Sequence, residues 1–454
     1  MQHLEHETDR DFVLKTARDQ NVRFVRLWFT DILGFLKSVA IPVAELPDAL
    51  EHGVGFDGAS IQGFARADES DMYALPDPNT FQLLPWRQRP GTHEAGGGAV
   101  ARLFCDVVEP DGSPYPGDPR AVLKHVIRRA AAMGYVFYVS SELEFFYFRT
   151  AGSRPETLDQ GGYFDLTPQD IDSDLRRDTI STLEQMGIEV ESSHHEVADS
   201  QHEIDLRYTD ALTMADNTMT FRLVVKEIAQ QHGLYATFMP KPLQGQNGSG
   251  MHINTSLFRG SQNVLFDPDD AYHLSSLGKS YIAGILTHAP EITLVLNQWV
   301  NSYKRLVPGY EAPTYLSWAF RNRADLIRIP AYRPGKEEHV RVELRSPDPA
   351  CNPYLAFACV LAAGLEGVEK GYTLREPSQS SVVEMTDEQR EALGIGSLPA
   401  DLHEAIERAR GSELLRRTLG DHVFTKLVEN KLLEWNRFRA HVTDYELSEY
   451  FPIL

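Results

Sequence analysis

Cysteine is scarce in this chain, with three residues (Cys105, Cys351 and Cys359) among 454. The count is odd, and the spacing is not that of metal-binding cysteines. All three lie in apolar or loop segments. We therefore predict reduced, structural thiols rather than disulfides or zinc ligands.

A long apolar run is also absent. The longest, residues 353–365, is too short to cross a bilayer and ends at Glu366. It is typical of a buried helix with Pro353 in its first turn. Residues 1–10 are polar and acidic, unlike a signal or transit peptide. These features predict a cytoplasmic protein that does not bind membranes.

Basic residues are outnumbered, since 44 Lys and Arg against 65 Asp and Glu give a formal net charge of −21. Nucleic acids and anionic membranes are bound by basic patches, so this balance argues against both as partners. Hydrophobic residues make up 42% of the chain, as in an ordinary soluble protein. The excess of acids fits a protein in which bound cations neutralise part of the charge.

The order of elements predicts an α+β protein with two domains. Residues 1–107 are expected to form a small β-rich domain with one or two helices, and the turn-rich segment 110–119 marks a linker or domain entry. Beyond it, predicted helices alternate with predicted strands in one large α+β domain. The helices are predicted at 121–133, 172–186 and 210–232, and the strands at 135–148, 188–192, 250–257 and 341–345.

Two glutamates interrupt the strand-like aromatic segment 135–148. Because strand side chains alternate between faces, Glu142 and Glu144 should share one face, opposite Leu143 and Phe145. Buried carboxylates are costly unless they are neutralised or meet a cation. The alternative is a half-exposed edge strand whose glutamates face water, and one isolated pair would favour it.

Similar residues recur downstream in other strand-like segments, and this favours a metal cavity. The candidate ligands are Glu142, Glu144, Glu196, Glu203, His252 and Glu343. Glutamates with one imidazole favour Mg²⁺ or Mn²⁺ over zinc or copper. Six protein ligands are more than a single Mg²⁺ usually receives, so we expect two or three ions, of the kind that clamp phosphates during phosphoryl transfer.

Arginines cluster in the last third of the chain, where their planar forks would suit phosphates or carboxylates. They are Arg305, Arg321, Arg323, Arg328, Arg341 and Arg345. A solvated basic face would explain Arg321 or Arg341 alone, but Arg345 alternates onto the same strand face as Glu343. The segment 247–250 matches no phosphate-loop motif, so its glycines predict close backbone approach to a small substrate.

Long and specific motifs resemble type I glutamine synthetase over nearly the whole chain. They are residues 56–64, 142–146, 194–198, 247–252, 301–313 and 321–323. The resemblance implies an N-terminal β-grasp domain (1–107) and a catalytic domain (108–454) in which a curved antiparallel sheet lines the active-site cavity. It also implies a homo-dodecamer of two stacked hexameric rings with active sites between subunits.

The activity implied by the resemblance is ATP-dependent ligation of L-glutamate and ammonia to L-glutamine, through a γ-glutamyl phosphate intermediate, for nitrogen assimilation. The cofactor would be Mg²⁺ or Mn²⁺, with ATP as co-substrate. One metal site matches Glu144, Glu196 and Glu203, and the other matches Glu142, His252 and Glu343. The glutamate-binding positions match Asn247, Gly248, Arg305 and Arg345, and Tyr163 matches the ammonium pocket.

The resemblance assigns further residues to the nucleotide and to catalysis. Glu191, Tyr208, Ser256 and Lys336 match the nucleotide side, while Arg323 and Arg328 would face the phosphates. Asp57, supplied by the neighbouring subunit, matches the residue that helps to bind and deprotonate ammonium. Glu311 matches the flap acid that closes over the intermediate.

Several positions depart from the common family pattern. Ala59 stands where a serine is common near the amine site, and Ser141 and Leu143 stand where many members carry proline. Asn254 and the lack of tyrosine in 380–388 match the shorter, unadenylylated alpha-type subgroup, so control by adenylylation is not expected. Arg66 resembles an arginine used in feedback inhibition by glutamine, which leaves that control open.

Two alternatives follow from the same framework. Relatives join glutamate to polyamines or other amines, and Ala59 lies close to the amine site where such enzymes diverge. Retention of Asp57, Tyr163 and Glu311 favours ammonia. A non-catalytic regulatory or structural paralogue is the third reading, and the presence of all six metal-ligand candidates argues against it.

Overall fold

Two β-sheets organise the chain, and helices cover them. The structure is a computed structural model that describes residues 2–63, 71–87, 98–166, 171–320, 322–378 and 381–454. The first sheet and its helices comprise α1 (Gln2–Asp19), β1 (Val22–Thr30), β2 (Leu36–Pro42), α2 (Leu46–His52), β3 (Val54–Asp57), β4 (Asp71–Pro76), β5 (Gln82–Leu83) and β6 (Ala99–Val108).

The N-terminal sheet has the order β2-β1-β6-β4-β3, and β5 also pairs with β6. The β1–β6 pair is parallel, and the other pairs are antiparallel. In β1, Val25 and Leu27 are buried, whereas Phe24 and Arg26, which alternate with them, are exposed or partly exposed, so one face of the strand packs on a core of its own.

The second sheet has the order β14-β15-β16-β12-β7-β9-β8, with β10 and β11 paired to β7 and β13 to β12. It is antiparallel except for the β14–β15 pair. Its strands are β7 (Val136–Phe148), β8 (Val190–His195), β9 (Gln201–Leu206), β10 (Thr209–Asp210), β11 (Tyr235–Thr237), β12 (Met251–Arg259), β13 (Gln262–Asn263), β14 (Trp318–Phe320), β15 (Ile327–Ile329) and β16 (Val342–Leu344).

Helices pack against the second sheet and against one another. They are α3 (Pro119–Ala132), α4 (Ile171–Gln185), α5 (Ala211–Gln231), α6 (Ser276–Leu296), α7 (Ser302–Arg305), α8 (Pro353–Lys370), α9 (Asp387–Ala392), α10 (Leu402–Arg410), α11 (Glu413–Arg439) and α12 (Asp444–Tyr450). Helices α6 and α8 touch through Gly284 and Gly367, where a Cβ would collide with backbone of the other helix. Close contact of the two helices therefore depends on glycine.

Helix α8 confirms the buried helix predicted at 353–365. Asn352 caps it by accepting hydrogen bonds from the amides of Tyr354 and Leu355, and Pro353 occupies its first turn. Its residues from Pro353 to Gly367 are buried in the larger core. Within the described ranges, no helix combines the length and the apolar character needed to cross a membrane.

The predicted α+β class is confirmed, and Cys105, Cys351 and Cys359 are free and buried. The segment 110–119 is tied closely to the N-terminal sheet. Pro114 bridges to Val108, and Tyr115 packs into the N-terminal core. The larger core in turn includes Trp28 and Phe104 from the N-terminal sheet. The boundary at residue 107 stays a prediction, because packing is continuous across it.

Candidate active site

Four neighbouring strands (β7, β9, β12 and β16) and the turn after β8 bring the candidate metal ligands together. Glu142 on β7 lies opposite His252 on β12 and opposite Asp205 on β9. Glu144 lies opposite Glu203, two residues further along the same pair. Since side chains of one face alternate with period two, this register collects the acids on one face of the sheet.

His252 stands at the centre of this row. Its Nδ1 lies 2.8 Å from Glu142 Oε2 and 3.9 Å from Glu343 Oε1, and its Nε2 lies 3.7 Å from Glu144 Oε1. Glu142 and Glu144 therefore share a face, as strand alternation predicts. The edge-strand alternative fails, because β7 lies between β12 and β9.

A second group forms where β8 turns into β9. His194 Nδ1 lies 3.3 Å from Glu196 Oε1, and its Nε2 lies 3.5 Å from Glu203 Oε2. Donor atoms of these three residues are close enough to share one ion, as are those of Glu142, Glu203 and His252. Both groups contain Glu203, so two ions held here would be near neighbours.

Glu144 is held from two sides. Its Oε2 accepts hydrogen bonds from Gln201 Nε2 and from the Gly250 amide, each at 2.9 Å. Even so, burial and the charge of Glu196 raise its pKa to about 8. The proton that Glu144 retains near neutral pH is one that a divalent cation would displace.

The pKa values of neighbouring acids diverge. Burial opposes ionisation of Glu142, but hydrogen bonds from His252 and Asn254 outweigh it and lower the pKa to about 2. Burial, and next Asp205, raise the pKa of Glu203 well above its ordinary value. The cavity thus holds more carboxylates than it can ionise without cations, which is the chemistry of a site for positive charge.

Glu343 is fully buried and bonded to two arginines. It accepts a hydrogen bond from Arg328 Nη1 at 2.6 Å and another from Arg345. All six candidate ligands except Glu343 line a cavity of about 490 Å³, into which Arg328 and Arg345 also project. Glu343 contacts His252 from behind this lining.

The glycine-rich segment 247–250 packs against the protein itself. A Cβ at Gly248 would collide with the Pro240 carbonyl, and one at Gly250 would meet Arg305 Nη2. The backbone therefore approaches Pro240 and Arg305 closely, and its close approach to a substrate stays a prediction.

Asn247, Gly248 and Arg305 line the cavity. The Arg305 guanidinium donates to the carbonyls of Ser346 (2.6 Å), Arg345 (3.1 Å) and Pro347 (3.2 Å). These bonds hold it rigidly at the cavity wall. Its role towards a substrate carboxylate stays a prediction.

Glu311 lies on a loop that lines the same cavity, and the backbone there is strained. Glu311 adopts φ 55°, a left-handed conformation that is uncommon outside glycine. Its Oε2 accepts a weak hydrogen bond from Asn247 Nδ2 at 3.4 Å. Across the opening, Arg323 Nη1 donates to Tyr163 Oη at 2.8 Å. Glu311, Tyr163 and Arg323 all line the cavity.

A second polar cavity of about 630 Å³ adjoins the first, and Glu142, Ser192 and Asp205 line both. Three of the predicted nucleotide residues, Glu191, Tyr208 and Ser256, line it. Lys336 does not line this second cavity, although the nearby Glu338 and His339 do. Arg328 lines the first cavity, beside the candidate metal ligands, instead.

Asp57 lies at the end of β3 and lines neither cavity of its own chain. Its carboxylate accepts from the Ala59 amide at 3.0 Å. The predictions for Arg66, Arg321 and the start of the 380–388 segment fall outside the described residues.

Asp205 and Gln201 were not predicted from the sequence as residues of the site. Asp205 lies two residues after Glu203 on the same strand, so alternation could have placed it on the ligand face. One of its carboxylate oxygens is buried and has no hydrogen-bond partner among the described residues. Gln201 gave no sequence signal, because its role depends on reaching Glu144 across the sheet.

A third group of donor atoms, Asp159, His195 and His202, also lies within ion-binding distance. Arg176 Nη1 is 2.6 Å from His202 Nδ1, so a cation is already present beside this group. His195 hydrogen-bonds the Glu196 carbonyl at 2.7 Å and Asp159 at 3.1 Å. These residues buttress the turn that carries Glu196 rather than compete for metal.

The fold and the site define a class of protein: a two-sheet α+β enzyme in which a carboxylate-lined cavity suited to divalent cations adjoins a polar cavity large enough for a nucleotide. Comparison with known proteins names the class. The family model of the glutamine synthetase β-grasp domain matches residues 21–110, and that of the catalytic domain matches residues 116–450. The chain belongs to the glutamine synthetase family.

Relatives and solved structures agree over nearly the full length. Glutamine synthetase from Mycolicibacterium smegmatis is 53% identical over 98% of this chain and 100% of its own length. That from Methanosarcina mazei is 52% identical over 98% of both chains. A solved GmaS/ADP complex is 30% identical, with a TM-score of 0.84 over 97% of this chain and 99% of its own.

Proposed function

We propose that this protein is a glutamine synthetase that uses ATP to ligate L-glutamate and ammonia. ATP would transfer its γ-phosphoryl group to the glutamate side-chain carboxylate, giving γ-glutamyl phosphate and ADP. Ammonia, formed from ammonium by loss of a proton, would attack this acyl phosphate and expel phosphate to give L-glutamine. The observation that carries the proposal is the convergence of six candidate metal ligands from distant segments beside a second polar cavity.

The residues present fit two or three Mg²⁺ or Mn²⁺ ions. Carboxylate oxygens dominate, one imidazole joins them, and two of the acids have pKa values raised by burial and like charge. Glu144, Glu196 and Glu203 would hold one ion, and Glu142, His252 and Glu343 another. When bound, the ions would supply charge neutralisation for the phosphates during transfer.

The remaining cavity residues would bind and orient the reactants. Asn247, Gly248, Arg305 and Arg345 would hold glutamate, as their position along the cavity wall supports. Glu191, Tyr208 and Ser256 would hold the nucleotide in the adjoining cavity. Arg328 would face the phosphates. Lys336 lies outside the lining of the nucleotide cavity, so it would have to move towards a bound nucleotide to contact it.

The acyl phosphate must be kept from water, and this gives the loop of Glu311 its proposed role. Its strained backbone, and its single weak contact with Asn247, suit a segment that changes conformation when substrate arrives. Glu311 and Asp57 would form an anionic pocket that attracts ammonium and accepts its proton. Tyr163 and Arg323, already hydrogen-bonded across the opening, would complete the wall.

We further propose that the chain works in the cytoplasm, for nitrogen assimilation, as a dodecamer of two stacked hexameric rings. Asp57 lines neither cavity of its own chain, which supports an active site completed by a neighbouring subunit. Such a ring is a head-to-tail assembly, in which each subunit offers one surface and receives another.

Ammonium should be strongly preferred over larger amines. We expect kcat/KM for ammonium to exceed that for methylamine, ethanolamine or putrescine by at least about 100-fold, because an anionic pocket shaped for ammonium has no room for added carbons. The assay is ATP- and glutamate-dependent phosphate release across this panel. Faster turnover with putrescine or methylamine would instead make the protein a γ-glutamylamine ligase, a reading kept open by Ala59. Phosphate release with none of the amines would favour a non-catalytic paralogue.

Divalent ions should stabilise the protein more as pH rises from about 5 to about 8. The folded pKa of Glu144, about 8, lies above its ordinary value of 4.5, so the folded state binds more protons than the unfolded state between them. Without divalent ions, this group therefore destabilises the fold as pH rises through that window. Glu203 shifts in the same direction, whereas the lowered pKa of Glu142 affects stability between about pH 2 and 4.5, below this window.

The measurement is the melting temperature in EDTA and in MgCl₂ across this pH range. The melting temperature in MgCl₂ should exceed that in EDTA by a margin that grows with pH. In Glu144→Gln this margin should be smaller, because the amide does not titrate. A gap that shrinks with rising pH would contradict the assignment of Glu144 as a ligand.

A further inference from the structure

A cavity of about 770 Å³ lies apart from the proposed active site. Its walls come from the loop between β1 and β2, one face of α5, the segment 237–240, the region 299–304, the segment 349–350 and the helix α11. None of the residues assigned above to metal, substrate or nucleotide lines it. Its volume is in the range of small-molecule sites.

The walls are mostly apolar, but three cations line them: Arg222, Lys226 and Lys304, the last of which lies 5.6 Å from the centre of the Phe438 ring. Arg222 and Lys226 lie four residues apart on α5, so their side chains are neighbours on one face of the helix. Around them are Leu33, Leu223 and Phe238.

Neither Arg222 nor Lys226 has a carboxylate partner among the described residues. Arg222 is 9% exposed, and its Nη2 donates to the Cys351 carbonyl at 2.5 Å, while its Nε is buried and unpartnered. Lys226 Nζ lies 5.6 Å from the centre of the Phe238 ring. Glu434 also lines the cavity, but its oxygens accept from the Val300 amide and from Lys431.

Arg222 is buried, so its charge is costly there without an anionic partner, whereas the Lys226 side chain is exposed to solvent. Burial lowers the pKa of Arg222, and partial desolvation together with the charge of Arg222 lowers that of Lys226. An anion between Arg222 and Lys226 would remove the penalty at Arg222, and an apolar body attached to the anion would bury hydrocarbon against the walls.

We propose that this cavity binds a small amphipathic carboxylate, with its carboxylate between Arg222 and Lys226 and its aryl or alkyl body against Leu223, Phe238 and Trp299. We propose further that the bound carboxylate regulates the active site. The regulatory half rests on the proposed function, whereas the binding half does not.

Two segments connect the cavity to the proposed glutamate site. Pro240 lines the cavity, and its carbonyl accepts from the amide of Ser249 at 2.8 Å, inside the glycine-rich segment 247–250. Gly248 packs directly on the same carbonyl. A ligand that shifts or stiffens Pro240 therefore acts on the backbone that would hold glutamate.

The second connection runs through Asn301, which also lines the cavity. Its side chain accepts from the Lys241 amide at 2.8 Å and donates to the Lys241 carbonyl at 3.1 Å. The Lys241 ammonium in turn donates to the Gln246 carbonyl and lies 3.8 Å from the centre of the Tyr310 ring, beside Glu311. The cavity thus touches supports of both the substrate segment and the flap.

Isothermal titration of the assembled, full-length protein tests the binding half, with 4-phenylbutyrate as the probe. The neutral analogue 4-phenylbutanamide should bind at least about tenfold more weakly, because it cannot form charge-assisted hydrogen bonds. Lys226→Met should weaken binding of the acid by a similar factor and leave binding of the amide unchanged. Lys226→Arg should restore binding of the acid, and the exposed Lys15→Met is the matched control.

Leu223→Trp fills the cavity without removing a charge, and it should abolish binding of both compounds. Equal affinity for acid and amide, or unchanged binding by Lys226→Met, would overturn the proposal. So would the absence of any binding by the wild-type protein, since the cavity would then be covered or closed in the assembly.

The proposed regulation of the active site is tested by measuring whether glutamate and 4-phenylbutyrate change each other's binding. Saturating 4-phenylbutyrate should shift the KM for glutamate at least about fivefold, and saturating glutamate should shift the Kd of the probe by a similar factor where KM reports binding. An unchanged glutamate KM and an unchanged probe Kd would overturn regulation while leaving the binding site standing. A wild-type protein that binds the probe but makes no glutamine would instead overturn the proposed function.

Discussion

Replacing Glu343 with Gln should reduce glutamine formation by at least about 100-fold, because loss of one anionic ligand weakens an ion that is expected to contribute several kcal/mol to phosphoryl transfer. Glutamine keeps the size of the side chain but not its charge. Glu343 is fully buried, lies 3.9 Å from His252 and accepts hydrogen bonds from Arg328 and Arg345. The substitution would therefore also leave two arginines without a counter-charge.

Measuring turnover together with the number of bound Mn²⁺ ions shows whether loss of a metal ion causes the loss of activity in Glu343→Gln. Glu343→Gln should bind about one Mn²⁺ fewer per chain while light scattering shows the wild-type assembly. Glu369→Gln is the matched control, since it removes an exposed glutamate that pairs with Arg129 far from the cavity. Wild-type activity in Glu343→Gln would reject Glu343 as a ligand.

Mixed assemblies of two inactive variants should regain activity. Asp57→Asn is expected to impair ammonium binding, and Glu343→Gln to impair metal binding, so each alone should be nearly inactive. If Asp57 completes the cavity of a neighbouring subunit, random co-assembly should restore about a quarter of the sites, where an intact Asp57 meets an intact metal cavity. The measurement is turnover after co-expression in equal amounts.

The control pairs Glu343→Gln with Glu144→Gln. Both defects then lie in the same cavity, and random mixing should leave the activity at the level of the single variants. Rescue by this control pair, or no rescue by the Asp57→Asn pair in a fully mixed assembly, would contradict a site shared between subunits.

Local pattern was enough to predict much of the secondary structure. Strand alternation placed Glu142 and Glu144 on one face, and β7 bears this out. The apolar run that begins at Pro353 predicted a buried helix, which is α8. Such features depend on residues close together in the chain, so their physical causes can be read from short segments.

Strand register depended on tertiary packing. Glu142 faces both His252 and Asp205, and Glu343 pairs with Asn254, across segments that lie far apart in the chain. Alternation assigns a residue to a face but does not say which residue of a distant strand will lie beside it. Asp205 was therefore not predicted as a residue of the site, although it lies two residues from Glu203 on the same strand.

The sequence alone established the α+β class, the reduced cysteines, the family resemblance and the set of acids, because composition, periodicity and long motifs reside in the chain itself. The tertiary structure determined the pKa values and the contacts of the charged side chains, through burial and proximity. They separate the pKa of Glu142, about 2, from that of Glu144, about 8, and they turn the Arg305 guanidinium towards backbone carbonyls. They also leave Arg222 and Lys226 beside a largely apolar cavity with no carboxylate partner among the described residues, because such contacts depend on distances that only the folded chain defines.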